Sequence, residues 1–191
     1  MLQMLISEIT KRVQEKSPLF VAIDGRCASG KTTLTKNLQD ILNCSVIHMD
    51  DFFLRPEQRT KERYLEVGNN VDYERIIEEV MEPLKAGKEV SYRPFLCSEQ
   101  CFGEEKAVPK SDIYIFEGSY SCQKYLYDFY DFRIFLDINE EKQLKRIEKR
   151  NGKEQLEMFK QKWIPLEEEY FTEQNIRERV DQRGIVNEVF N

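Results

Sequence analysis

The chain has 191 residues, enough for one domain with a sizeable core, and its 40% hydrophobic and 34% charged residues are those of an ordinary globular protein. The net charge of −6 argues against a general nucleic-acid surface, and no apolar run approaches the length that crosses a bilayer, so neither nucleic acid nor membrane is an expected partner. The five cysteines, Cys27, Cys44, Cys97, Cys101 and Cys122, are scattered, odd in number and not preceded by a signal-peptide layout, which predicts free thiols in a reducing cytoplasm.

In chain order, Leu2, Leu5, Ile6, Ile9 and Val13 lie at helical spacing and predict a first amphipathic helix. Residues 19–23, LFVAI, read as a short buried strand. From Thr33 onward, Leu34, Leu38, Ile41 and Leu42 share one helix face. Between strand and helix, Gly25-Arg26-Cys27-Ala28-Ser29-Gly30-Lys31-Thr32 fits G-x-x-x-x-G-K followed by Ser or Thr at every fixed position. Each fixed residue has a task. The glycines allow the torsions that wrap backbone N–H groups around phosphates, Lys31 reaches the β- and γ-phosphates, and the Thr32 hydroxyl can ligate Mg²⁺. The dipole of the helix that Thr33 enters adds to the pull on an anion, so the segment is expected to bind ATP. Cys27 is read as a tolerated side chain of the loop rather than a nucleophile.

Further buried strands are expected at 45–49, 113–116 and 133–136, with a weaker one at 185–190. Helical patterns occupy 73–84, 140–150 and 154–179. This alternation predicts a mostly parallel α/β sheet covered by helices on both faces, with ligands beyond the carboxyl ends of its strands. Two of those ends carry acids: Asp50 and Asp51 after the second strand, Glu117 before Gly118 after the third. A carboxylate there can orient Mg²⁺ or take a proton from an attacking hydroxyl, although one aspartate of the pair is expected only to cap its turn. The third strand ends in a single Glu followed by Gly, and no Asn-Lys-x-Asp base-reading motif occurs, which suits a small kinase better than a motor or a switch.

Lys142, Arg146, Lys149, Arg150 and Lys153 fall at i, i+4, i+7, i+8 and i+11 and form one basic face, opposite Leu144 and Ile147. Such a stripe is either a solvated face or a lid whose arginines neutralise charge during transfer. Beside a phosphate loop, the lid role is assigned to Arg146 or Arg150, and the lysines are read as solvated.

VAIDGRCASGKTT, HMDDFF, NVDYERIIEEVMEPLKAGKEV, IFEGSY and FLDINEEKQLKRIEKR together resemble the uridine kinase-like branch of the P-loop kinases, whose relatives include phosphoribulokinase and pantothenate kinase. The resemblance covers nearly the whole chain and implies a single P-loop kinase domain with a five-stranded sheet. It places an acceptor-binding insertion at about 52–110 and a short lid at about 140–155. By the same resemblance Asp50 is the base for an acceptor hydroxyl, with Asp51 in reserve, and Thr32, Asp50 and Glu117 surround the metal. Asp51, Phe53, Asp72, Tyr92 and Arg93 shape the acceptor pocket. ATP and a small-molecule acceptor are the implied partners, Mg²⁺ and ATP the implied cofactors, and a homo-oligomer is left open. The stretch WIPLEEEYF resembles a bacterial subgroup of this branch. Nucleoside kinases of the family carry Pro-x-Tyr-Asp-Phe and then Thr-His-Ser-Arg after the hairpin. Here Phe95 and Leu96 replace the tyrosine and aspartate, and the His and Arg are missing, so a changed or weakened nucleoside preference is expected. The competing readings are a vitamin-precursor kinase, an ATP-binding regulatory module and a simple ATPase.

Overall fold

The computed structural model describes residues 1–185. Five parallel strands form the central sheet: β1 (Leu19–Gly25), β2 (Ser45–His48), β3 (Ile113–Glu117), β4 (Phe132–Asp137) and β5 (Gln182–Ile185), in the order β2-β3-β1-β4-β5. β1 is flanked by β3 and β4 and is buried along its whole length, which is why its sequence is an unbroken apolar run ending in Asp24 and Gly25. The expected strand at 185–190 is met only at Ile185, the last residue of β5, and the rest of that stretch lies outside the described residues.

Alternate residues of β1 face different layers. Phe20 and Ala22 join the core built with residues 73–85, Tyr170 and Phe171, while Leu19, Val21 and Ile23 pack under α1 (Leu2–Glu15) and α2 (Lys31–Leu42) through Leu5, Ile9, Leu34 and Leu38. Both faces are thus covered, as the alternation of elements requires.

Two helices depart from simple α geometry for the same reason. The helix over 73–85 widens into a π segment at Ile76–Met81, just before Pro83, and the long C-terminal helix does so at Phe159–Trp163, just before Pro165. A proline has no N–H to give to the fourth carbonyl before it and its ring crowds that carbonyl, so a wider turn relieves both problems. The C-terminal stretch is also punctuated. Gly152 separates α3 (Glu140–Asn151) from the helix Lys153–Met158, and left-handed Asn175 separates Ile164–Glu173 from Ile176–Arg179.

Residues 52–110, between β2 and β3, hold the helix over 73–85 and two small hairpins, Val90–Tyr92 with Lys106–Val108 and Phe95–Leu96 with Cys101–Phe102. With the α3 region opposite, this segment flanks the carboxyl ends of β1, β2 and β3.

Candidate active site

The turn from β1 to α2 is an anion cradle. Gly25 has φ +138, and a Cβ there would stand 2.1 Å from the Leu136 carbonyl oxygen, so only glycine lets β1 leave the sheet at this point. Gly30 caps α2 at φ +93, and Ala28 sits in the left-handed region at φ +59. Among the described residues, the amides of Ala28, Gly30, Lys31, Thr32 and Thr33 find no protein acceptor. Free N–H groups at a helix start are what a phosphate requires. Lys31 curls over the loop, its Nζ donating to the carbonyls of Gly25 at 2.7 Å and Arg26 at 3.0 Å.

The strand ends bring the acids together. Thr32 Oγ1 donates to Glu117 Oε1 at 3.1 Å, and His48 Nδ1 lies 2.8 Å from Glu117 Oε2. Gly118, at φ +147, lets the chain turn past Met49 directly after Glu117, where a Cβ would come within 2.7 Å of the Met49 side chain. The bond to Glu117 raises the His48 pKa above its usual value, outweighing partial burial. Asp50 opens onto the same cleft. Solvent reaches its carboxylate, but protein crowds it on the other sides. That partial desolvation, followed by the charge of Glu117, raises its pKa, while Lys31 and His48 pull the other way.

The cleft has a volume of about 1000 Å³ and is lined by Cys27 through Thr33, Asp50, Phe53, Glu117, Arg146 and Arg150, among others. Of the basic stripe on α3, both arginines reach it and the lysines do not. Arg146 Nη1 donates to the Ala28 carbonyl at 3.1 Å, and the Arg150 guanidinium stands 6.0 Å over the ring of Phe159. Cys27 is held as a thiol, its pKa pushed up to about 12 by burial and by the charge of Glu167.

Four residues expected to shape the acceptor pocket point elsewhere. Asp51 turns to the hairpin, where it pairs with Lys106 at 3.0 Å and accepts the Tyr92 hydroxyl at 2.8 Å. This contact also removes Tyr92 from the cleft, its ring packed against Phe52. Asp72 is fully buried behind the wall, accepting the Arg75 amide as a helix cap and facing Arg55 at 3.5 Å. Arg93 donates to the carbonyls of Gly103 and Phe102. The physical reason is common to all four: each found a closer partner within the insertion itself. Of that expected set only Phe53 lines the cleft, where Arg59, Tyr64, Cys97 and Gln100 stand with it.

Sequence reasoning also passed over residues behind the loop. Asp24 is wholly buried and accepts from the Gly25 amide, the Cys122 amide and the Tyr170 hydroxyl at 2.7, 2.9 and 2.7 Å. Burial raises its pKa in spite of those bonds and of Lys31. Its signal was an aspartate inside an otherwise apolar strand. Glu167 had no such signal, standing in a run of three glutamates.

Hard oxygen donors are the right type for Mg²⁺, which is held through one or two carboxylates together with substrate phosphates rather than by an all-protein cage. Thr32 and Glu117, already in contact, and Asp50 beside them fit that description. No group of three or more His, Cys, Asp or Glu side chains that could hold a metal by themselves occurs among the described residues.

A family model described as the phosphoribulokinase/uridine kinase family matches residues 20–155. The chain is 30% identical over 144 residues to uridine-cytidine kinase A of Dictyostelium discoideum, covering 71% of this chain and 28% of that protein. It is 26% identical over 160 residues to pantothenate kinase of Shewanella loihica, covering 72% of this chain and 51% of the other. It thus spans about half the length or less of these curated relatives. A solved structure of a possible uridine kinase from Bacillus stearothermophilus has the same fold, with a TM-score of 0.69 at 21% identity over 95% of this chain and 98% of that one. Among the described residues no helix is long and apolar enough to cross a membrane.

Proposed function

The chain belongs to the phosphoribulokinase/uridine kinase family, and on that premise we propose that it transfers the γ-phosphoryl group of ATP to an alcohol, with a nucleoside or another pentose-bearing metabolite as acceptor. One observation carries this reading: the Asp50 carboxylate faces the cleft beside the phosphate loop and, among the described residues, has no hydrogen-bonding partner. A carboxylate left unpaired next to a phosphate site is poised to accept a proton.

The geometry supports the following division of work. The loop amides and Lys31 bind the phosphates. Thr32, Glu117 and Asp50 would hold Mg²⁺, directly or through water, and the ion when bound supplies positive charge to the phosphate oxygens. Asp50 takes the proton of the acceptor hydroxyl as its oxygen bonds to phosphorus and ADP leaves. Arg146 or Arg150 neutralises charge on the transferring group. His48 and Thr32 occupy one Glu117 oxygen each and fix the orientation of that carboxylate. Phe53 supplies an apolar wall for the acceptor, and Asp51, Tyr92, Asp72 and Arg93 act only by bracing the insertion behind it. We place the protein in the cytoplasm, in keeping with its free cysteines.

A non-nucleoside acceptor such as a vitamin precursor is the second reading. It is favoured by Phe95 and Leu96, which stand where nucleoside kinases of the family carry a tyrosine and an aspartate. The experiment is a screen for ADP release from Mg·ATP in the presence of nucleosides, pentose derivatives and vitamin precursors. One acceptor that accelerates release strongly identifies the class. If none does, an ATP-binding regulatory module replaces the kinase.

A further inference from the structure

The stretch containing WIPLEEEYF has no part in the chemistry above, yet the helix Ile164–Glu173 packs against the phosphate loop, and its Glu167 lines the same cleft. Three of its side chains touch consecutive parts of that loop. Tyr170 donates to Asp24 at 2.7 Å, Glu168 pairs with Arg26 at 2.7 Å, and Glu167 accepts the Cys27 amide at 3.0 Å. The other oxygen of Glu167 accepts the Ser119 hydroxyl at 2.8 Å, two residues beyond Glu117. A nearly buried carboxylate on a loop built to bind anions repels the ligand of that loop, so its presence calls for a compensating role.

The Cys27 residue is held from a second side. Gln143 of α3, fully buried, donates through Nε2 to the Cys27 carbonyl at 3.2 Å. Both backbone polar groups of Cys27 are therefore fixed by buried side chains from two different helices. The next residue, Ala28, has φ +59, a conformation that residues with a Cβ avoid. Such a backbone persists only where its surroundings over-determine it. A left-handed residue in such a turn also helps bring successive N–H groups to one side, the concave arrangement that receives anions.

We infer that Glu167 and Gln143 are the positioning residues of the phosphate loop: together they hold Cys27 so that Ala28 stays left-handed and the amides beyond it converge on the phosphates. Neither touches the reacting atoms. Glu167 serves better than a glutamine because both of its oxygens accept, one from an N–H and one from an O–H, in charge-assisted bonds. The inference rests on the proposed ATP site, and its test reads binding rather than turnover.

Calorimetric titration of Mg·ADP into the wild type, Glu167→Gln, Gln143→Leu and the double variant makes the test. Each single change is expected to weaken ADP about tenfold or more, the loss typical of breaking one buried bond to a charged or backbone group. Because both changes release the same residue, the double variant is expected to bind no more than about twofold more weakly than the weaker single, a failure of additivity that independent structural damage would not produce. Gln143→Leu reads one side of the arrangement should Glu167→Gln fail to fold. Folded single variants that bind ADP like the wild type, or losses that multiply in the double, overturn the inference. A wild type with no affinity for ADP would instead remove the ATP site itself.

Discussion

Glu117 joins the phosphate loop to the second strand of the sheet: one of its oxygens accepts the Thr32 hydroxyl at 3.1 Å, and the other lies 2.8 Å from the His48 ring. The same carboxylate is the principal neighbouring charge acting on Asp50. A change at any of these residues is therefore felt at the others.

His48 is the chain's single histidine, so its imidazole gives one unambiguous NMR titration in the untagged protein. Its midpoint is expected above the ordinary value of about 6.5, because Glu117 favours the charged ring. By linkage, this pair stabilises the fold fully below the ordinary histidine pKa, and the contribution fades as pH rises through the raised one. In Glu117→Gln the midpoint should fall. An unshifted midpoint in both proteins would show that the pair does not form.

The raised pKa of Asp50 has the opposite consequence for stability at neutral pH. Its fold-derived preference is for the protonated form, so stability is greatest below the ordinary aspartate value and declines as pH rises through the folded one. Because solvent reaches this carboxylate, Asp50→Asn is expected to raise the melting temperature at pH 7 only slightly, with the gain shrinking as the pH is lowered toward about 4. A variant less stable than the wild type at pH 7 would mean that Asp50 is a structural partner rather than a strained acid.

Lys31→Ala is expected to leave the fold intact and lower turnover at least 10²–10³-fold, the scale of losing one positioned charge on the transferring group. A folded variant with near-normal turnover would remove Lys31 from the mechanism.

Arg146→Ala and Arg150→Ala separate a lid from a solvated stripe. Arg146 lies on the Ala28 carbonyl and Arg150 over Phe159, both at the cleft. At least one change should lower kcat more than it weakens ATP binding, because its charge acts on the transition state. If kcat is unchanged in both, the stripe is only surface.

The inner strands β1 and β3 were legible because they are buried on both faces and write themselves as apolar runs, and the loop because its glycines and lysine have no other common use at that spacing; the edge strand β5, Gln182–Ile185, carries no such run and was not placed from the sequence. Asp50 and Glu117 could be read from their places at strand ends. Side-chain direction within the insertion could not. Asp51 and Asp50 are neighbours on one turn, and only the positions of Lys106 and Tyr92, some 40 to 55 residues away, decide which of them turns from the cleft. Glu167 was hidden for a related reason. In EEEYF three acids look alike, and only the packing of Tyr170 on Asp24 buries one of them against the loop. The break at Gly152 falls in the gap between the expected helices 140–150 and 154–179, whereas the one at Asn175 was visible as a residue type but not as a boundary.

Whether this chain is a kinase with Asp50 as its base shows in kcat of Asp50→Asn and Asp51→Asn, compared with the best acceptor from the screen. Asp50→Asn is expected to lose roughly 10²–10⁴-fold, the span of general-base catalysis, with nucleotide affinity little changed. Asp51→Asn should be milder, because Asp51 is bound to Lys106 and Tyr92 away from the cleft. The reverse ranking, with Asp51→Asn crippled and Asp50→Asn close to normal, would contradict the assignment.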